Sequence, residues 1–210
     1  MQLASAGYST VSLDLKQLSP DREMIKDLHT LPTNLPVPVD DGACDHLLGS
    51  TLPSVSLAST TGKTVDLSTY AGTLVIYCYP MLGRPDSPPL IGWNEIPGAR
   101  GCTPQTCAFR DLNAELKQLD VEVFGVSAQR FADQQEAHAR LQLPFALLND
   151  QQLTYAHALK LPTFEYAGTR LIKRLTIIVT GGLIRKVFYP VFPPNNNARE
   201  VIAWLTAQQV

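Results

Sequence analysis

Ala99-Arg100-Gly101-Cys102-Thr103-Pro104-Gln105-Thr106-Cys107-Ala108-Phe109-Arg110-Asp111 is where this chain passes from a loop rich in proline and glycine into a helix. Thr103 suits an N-cap and Pro104 the first helical position, while Phe109, Leu112 and Leu116 recur at the spacing of one helical face. Cys102 therefore falls at a helix N-terminus, where unpaired N–H groups and the positive end of the macrodipole favour a thiolate over a thiol. Cys107 lies about 140° further round the helix, at roughly 100° per residue, so the two sulfurs meet only if the first turn unwinds. A nucleophilic thiol with a second, conformationally gated thiol nearby suits oxidation to a sulfenic acid and then condensation to a disulfide. The residues alone leave two other readings open. One is a pair of packed core cysteines; the other is half of a metal site, although zinc ligands usually come at the tighter C-x2-C spacing.

Outward from this stretch, Thr73 to Tyr79 is a nearly unbroken β-branched and aromatic run, the pattern of a strand buried on both faces, which Pro80 ends. Cys78, inside it, reads as packing. Upstream, Leu52 to Leu57 and Thr64 to Leu67 flank a Thr61-Gly62 turn signal and predict a hairpin at the edge of the domain. Downstream come a strand at Val121 to Ser127, a helix at Arg130 to Leu141 and a strand at Phe145 to Leu148. A helix from Gln152 to Ala158 follows, capped by Asn149-Asp150. Leu171 to Val179 and Leu183 to Tyr189 around Gly181-Gly182 predict a second hairpin, and Ala198 to Ala207 a terminal helix. The fold class is α/β, with the thioredoxin-like element order preceded by an N-terminal β-hairpin. Residues 1–41, with prolines at 20, 32, 36 and 38, read as an N-terminal extension that packs on the domain or on a neighbouring subunit; residues 42–210 form the domain. Cys44 and His46 stand at the junction as structural residues, and His138 and His157 as ordinary helical ones.

Taken together, these segments resemble the peroxiredoxins, in particular the Q-type (bacterioferritin comigratory protein-like) branch, from about Gly49 to the C-terminus. The matching pieces are Leu-Pro-Ser-Val-Ser-Leu at 52–57, Leu-Val-Ile-Tyr-Cys-Tyr-Pro at 74–80, Gly-Cys-Thr-Pro-Gln-Thr-Cys-Ala-Phe-Arg-Asp at 101–111, Val-Phe-Gly-Val-Ser at 123–127, Leu-Pro-Phe-Ala-Leu-Leu-Asn-Asp at 143–150 and Lys-Arg-Leu-Thr-Ile-Ile-Val at 173–179. The resemblance implies a thiol-dependent peroxidase that uses no metal and no organic cofactor and reduces hydrogen peroxide and alkyl hydroperoxides. Cys102 becomes a sulfenic acid, Cys107 resolves it as an intramolecular disulfide, and thioredoxin or glutaredoxin re-reduces the pair. It places the family's active-site arginine on Arg174. A guanidinium there would favour the thiolate and polarise the peroxide O–O bond.

The segment from Met81 to Gly101 departs from the family, in which the reactive cysteine follows the Tyr-Pro end of the strand within a few residues. Long loops inside compact domains are usually functional or mobile, and this one is expected to act as a lid. The family's peroxide-holding threonine falls on Ala99 and its proline on Glu95. Pro80 is then the candidate for the substrate-binding proline and Thr103 for the hydroxyl. Two other functions remain on the same fold: a thiol–disulfide oxidoreductase, which expects a C-x-x-C pair that this helix lacks, and a non-catalytic redox sensor or interaction module.

The 210 residues are 45% hydrophobic and 17% charged, enough for one sizeable core. A formal net charge of −2 and the lack of any basic run argue against a nucleic-acid partner. No stretch approaches 18 consecutive apolar residues and no leader pattern is visible, so the expectation is a cytoplasmic protein with no membrane association, a monomer or homodimer whose four cysteines stay reduced between turnovers.

Overall fold

Strand β3 (Thr73–Cys78) is the axis of the molecule, because its alternate side chains feed two separate cores. The structure is a computed structural model that describes residues 28–87 and 90–208; the hydrophobic positions before residue 28 lie outside the described residues. Leu74, Ile76 and Cys78 face one core, together with Phe124, Val126 and Tyr155. Val75, Tyr77 and Tyr79 face the other, with Phe109, Leu141 and Val201. Burial on both faces is what an unbroken apolar strand requires, and β3 is the predicted case.

Around it are β1 (Ser56–Ser59), β2 (Thr64–Asp66), β4 (Val121–Ser127), β5 (Leu147–Asn149), β8 (Leu175–Thr180) and β9 (Leu183–Phe188). They form a seven-stranded sheet in the order β2-β1-β5-β4-β3-β8-β9. β3 runs parallel to β4 and antiparallel to β8. Helices α1 (Cys102–Asp111), α3 (Phe131–Arg140) and α5 (Asn197–Ala207) contribute Phe109, Ala137 and Val201 to one face, and α4 (Thr154–Ala158) contributes Tyr155 and Ala156 to the other.

The structure corrects several expected boundaries. The first hairpin begins at Ser56, because Thr51 and Leu52 instead pair with the β8–β9 end of the sheet: Thr51 bridges Leu183 and the Leu52 N–H donates to the Gly182 carbonyl at 3.1 Å. Pro53 then has no N–H to continue that pairing. The expected strand from Leu171 to Val179 divides in two. Leu171 and Ile172 belong to β7 (Thr169–Ile172), which pairs only with β6 (Thr163–Tyr166) in a separate two-stranded sheet, and Lys173-Arg174 link it to β8. The first helix pauses at Leu112 before α2 (Asn113–Gln118), yet Leu116 still joins the same core as Phe109. Asp150 does cap α4, its carboxylate accepting from Tyr155 N at 3.0 Å and Ala156 N at 2.8 Å. The helix itself starts at Thr154.

Tyr77 carries the sheet's order into the first helix. Its ring stacks on Phe109 at 4.7 Å and meets Phe145 edge-on at 6.0 Å, and its hydroxyl donates to Thr106 Oγ1 at 3.3 Å. Tyr77 pairs with Gly125 of β4, where an added Cβ would lie 2.7 Å from the Tyr77 ring and hydroxyl and 2.7 Å from Leu147 Cδ2. Glycine is needed there for the close approach of the ring. Gly125→Ala is expected to destabilise the fold by about 1–3 kcal/mol, the usual cost of overpacking a tight core; the shift in urea midpoint at constant slope measures it.

Candidate active site

Gly101 precedes α1 with φ at +108°, and Cys102 is the first helical residue. This corrects the expected cap, since Thr103 and Pro104 are the second and third helical positions. The sharp turn that launches the helix needs a residue free to adopt positive φ, which Gly101 is and a threonine is not. An added Cβ at Gly101 would also lie 2.3 Å from Pro194 Cγ. The helical ladder begins with Gln105 N–H donating to the Gly101 carbonyl at 3.0 Å, so the N–H groups of Cys102 and Thr103 have no intrahelical acceptor. The thiol thus lies at the positive end of α1, as the sequence implied.

Arg174 reaches that thiol from the link into β8. Its Nη2 lies 3.2 Å from Cys102 Sγ, and both residues are only 3% exposed. The same guanidinium donates to the carbonyls of Gly98 at 3.2 Å, Ala99 at 3.0 Å and Arg100 at 3.2 Å. It also donates to Gln105 Oε1. Among the described residues no carboxylate lies within ion-pair distance of Arg174. Cys102 Sγ is thus in direct contact with a buried guanidinium whose other partners among the described residues are neutral dipoles.

Behind this pair runs a buried relay. Gln105 Nε2 donates to Asn197 Oδ1 at 3.0 Å, and Thr176 Oγ1 donates to the same oxygen at 2.6 Å. Gln105 stands one helical turn from Cys102, so its orientation toward the site was readable from spacing. Asn197 and Thr176 carried no such signal, because α5 and β8 meet α1 only in the folded chain.

The loop before Gly101 is anchored at several of its described residues, where a lid was expected. Trp93, 6% exposed, packs edge-on against Tyr166 at 4.9 Å and near Phe164 at 6.1 Å, both on the β6–β7 sheet. Tyr166 OH donates to the Ile91 carbonyl at 2.9 Å, and Leu82 N–H to Gln129 Oε1 at 2.7 Å. Ala99 contributes its carbonyl to Arg174, a role any residue could fill, and its side chain is buried beside Trp93 and Leu171. Pro80 is buried at the end of β3, where its carbonyl accepts from Ser127 Oγ at 2.9 Å. Thr103 is 3% exposed in the first turn.

A cleft of about 200 Å³ opens beside Arg174, bounded by Pro38, Gly98, Phe164, Lys173 and Tyr189. Lys173, expected to be a solvated neighbour, keeps its side chain 37% exposed and also pairs with Asp41 at 2.8 Å, and Tyr189 OH donates to the same carboxylate at 2.8 Å. Hydrogen bonds from Lys173 and then Tyr189 hold Asp41 down at about 2. The segment around residues 38–41 therefore forms one wall of the cleft.

All four cysteines are free thiols in different surroundings. Burial pushes Cys44 up to about 12 and raises Cys78 further, which suits packing. Burial also raises Cys107, which is 8% exposed on the flank of α1; its Sγ lies 3.7 Å from His29 Nδ1. The helix therefore gives its two thiols different partners, Arg174 for one and His29 for the other.

The α/β fold, with a thiol at a helix N-terminus beside a buried arginine, lies within the part of the chain matched by the family described as Redoxin, residues 47–202. The chain belongs to that family, and its sequence relatives include Q-type and Bcp peroxiredoxins. It is 28% identical over 155 residues to peroxiredoxin Q, chloroplastic, of Oryza sativa subsp. japonica, across 73% of this chain and 64% of that protein. It is 34% identical over 116 residues to peroxiredoxin Bcp of Bacillus subtilis (strain 168), across 53% of this chain and 62% of that protein. The match thus spans just under two thirds of either relative's length. The thioredoxin-like fold agrees with the crystal structure of peroxidoxin BcpB from Mycobacterium tuberculosis, at a TM-score of 0.61 and 25% identity, covering 76% of this chain and 96% of that one.

Replacing Arg174 with Gln removes the charge facing Cys102, and alkylation of Cys102 at neutral pH is expected to slow by about tenfold or more, as for loss of an opposite charge within about 4–6 Å. Peptide mapping after iodoacetamide treatment measures it. In the unmutated protein the same map should show Cys44 and Cys78 unlabelled at neutral pH.

Proposed function

We propose that this chain is a thiol peroxidase acting on hydrogen peroxide and alkyl hydroperoxides, with Cys102 as nucleophile, Cys107 as resolving thiol and Arg174 as the residue that stabilises the thiolate. The observation that carries this reading is Arg174 Nη2 at 3.2 Å from Cys102 Sγ, with no carboxylate competing for the guanidinium among the described residues. The Cys102 thiolate attacks the nearer peroxide oxygen: an S–O bond forms, the O–O bond breaks, and the departing oxygen leaves as water or an alcohol after taking a proton. Arg174 can donate to the oxygen on which charge develops. Pro80 and Thr103 are the proposed walls of the peroxide site, supported by their burial at the end of β3 and in the first turn of α1.

Cys107 then displaces hydroxide from the Cys102 sulfenic acid, forming the S–S bond and releasing water. An external dithiol, thioredoxin or glutaredoxin, reduces the disulfide by exchange. No metal or organic cofactor enters the cycle, and a reducing compartment such as the cytoplasm keeps the thiols free between turnovers.

Cys102→Ser is expected to abolish peroxide consumption, whereas Cys107→Ser should permit one oxidation and leave a sulfenic acid on Cys102 that dimedone traps. Finding the dimedone adduct on Cys107 would reverse the assigned roles.

Forming the disulfide requires Cα atoms about 4.4–6.8 Å apart and a fixed S–S dihedral, which two cysteines on opposite flanks of an intact first turn do not meet. Amide hydrogen exchange across Thr103 to Phe109 is therefore expected to quicken on oxidation. Identical exchange in the reduced and oxidised forms, with the Cys102–Cys107 bond confirmed by mass spectrometry, would show that no unwinding is needed.

A further inference from the structure

The segment at residues 28–31 crosses the flank of α1 outside the part of the chain that matches the family, and it brings an imidazole to the second thiol. Its placement rests on three neighbours. Leu28 lies 2.7 Å from where a Cβ on Gly83 would be, and Leu31 lies 2.9 Å from where one on Gly101 would be. Arg100 Nη2 reaches the Thr30 carbonyl at 3.5 Å. Between them His29 places Nδ1 3.7 Å from Cys107 Sγ, within reach of an S–H donor.

We infer that His29 is the general base of the resolving step, a catalytic residue supplied to Cys107 by the N-terminal extension. The inference rests on the peroxidase reading above and extends it. Cys107 needs such a group, because the thiolate is the species that attacks and burial holds this thiol in its protonated form. The charged groups around it do not remove the proton. Arg110 on α1 and Arg140 on α3 favour the thiolate, but burial, with Asp111 acting in the same direction, outweighs both arginines. Tyr77, from β3, spends its hydroxyl on Thr106. A neutral imidazole accepts a proton readily in the range where thiol peroxidase chemistry must run.

The step balances without another reactant. His29 Nδ1 takes the proton from Cys107 Sγ; the thiolate's electron pair forms the S–S bond with the sulfenyl sulfur of Cys102; the S–O bond breaks. The departing hydroxide takes the proton back from the imidazolium and leaves as water. The geometry suits a moving partner, since Leu28 and Leu31 rest on Gly83 and Gly101 in the loop that leads into Cys102. The base is thereby tied to the sulfenic acid's side of the joint while the helix carrying Cys107 unwinds.

The test is a single-turnover experiment on the full-length reduced chain with one equivalent of hydrogen peroxide, following sulfenic acid formation and disulfide closure from pH 5.5 to 8.5. For His29→Gln, the ratio of the closure rate to the sulfenic acid formation rate is expected to fall about tenfold or more, toward the usual contribution of a general base. Added imidazole should restore closure in His29→Ala. Alkylation of Cys107 in a Cys102→Ser background should slow likewise when His29 is replaced by Gln, a readout that needs no peroxidase activity. Closure in His29→Gln at the original rate and pH profile, with sulfenic acid still forming on Cys102, would overturn the role of His29 and leave the peroxidase reading intact. A chain that never forms the sulfenic acid, and whose Cys107 alkylation ignores His29, would overturn both.

Discussion

The burial of one guanidinium with no carboxylate partner among the described residues is the constraint on which the rest of the structure depends. Removing such a charge from water costs several kcal/mol unless every donor finds an acceptor. Arg174 meets that demand with the carbonyls of Gly98, Ala99 and Arg100, the amide oxygen of Gln105 and the Cys102 sulfur. Those acceptors come from the end of the long loop and from the first turn of α1. Through Gln105, Asn197 and Thr176 the network continues into α5 and β8. Sheet, loop and both helices therefore converge on one buried cation, and that cation touches the Cys102 sulfur.

That arrangement changes the meaning of the inserted segment. Its last residues act through their carbonyl oxygens, which explains how Ala99 can occupy the place of a threonine without undoing the arginine's support. The rest of the loop is held by Trp93 against Phe164 and Tyr166 on a small second sheet and by Gln129 at the other end. Apolar anchoring of this kind keeps the carbonyl acceptors in register with Arg174. The β6–β7 pair thus supports the site from a distance, with its own residues facing the loop.

The cysteines show how burial and local charge sort one chemical group into different roles. Cys44 and Cys78 are wrapped in apolar core, which raises both thiols and leaves them inert. Cys102 is equally hidden from water, yet it faces the end of a helix and a guanidinium. Cys107 lies away from the helix end with no guanidinium hydrogen-bonded to its sulfur among the described residues, and the imidazole of His29 stands 3.7 Å from it. Burial is common to all four, so the distinction lies in what each sulfur touches.

From its sequence alone, the chain determined the position of Cys102 at a helix start, the doubly buried strand β3, the second hairpin and the thioredoxin-like order of elements. These follow from local rules: residue periodicity, turn chemistry and the backbone freedom of glycine act over a few neighbours and survive any tertiary arrangement. Gln105 belongs to the same class, since helical spacing alone points it at the site. Tertiary structure decided the rest. Leu171 and Ile172 read as part of a long strand because their alternation is correct, and only pairing with β6 assigns them to a different sheet. Lys173 stays solvated as its sequence context suggested, but its pairing with Asp41, more than a hundred residues away in sequence, had no local signal. Asn197, Thr176 and His29 enter the site by contacts between segments distant in sequence, and no local pattern encodes a contact that exists only after the chain has packed.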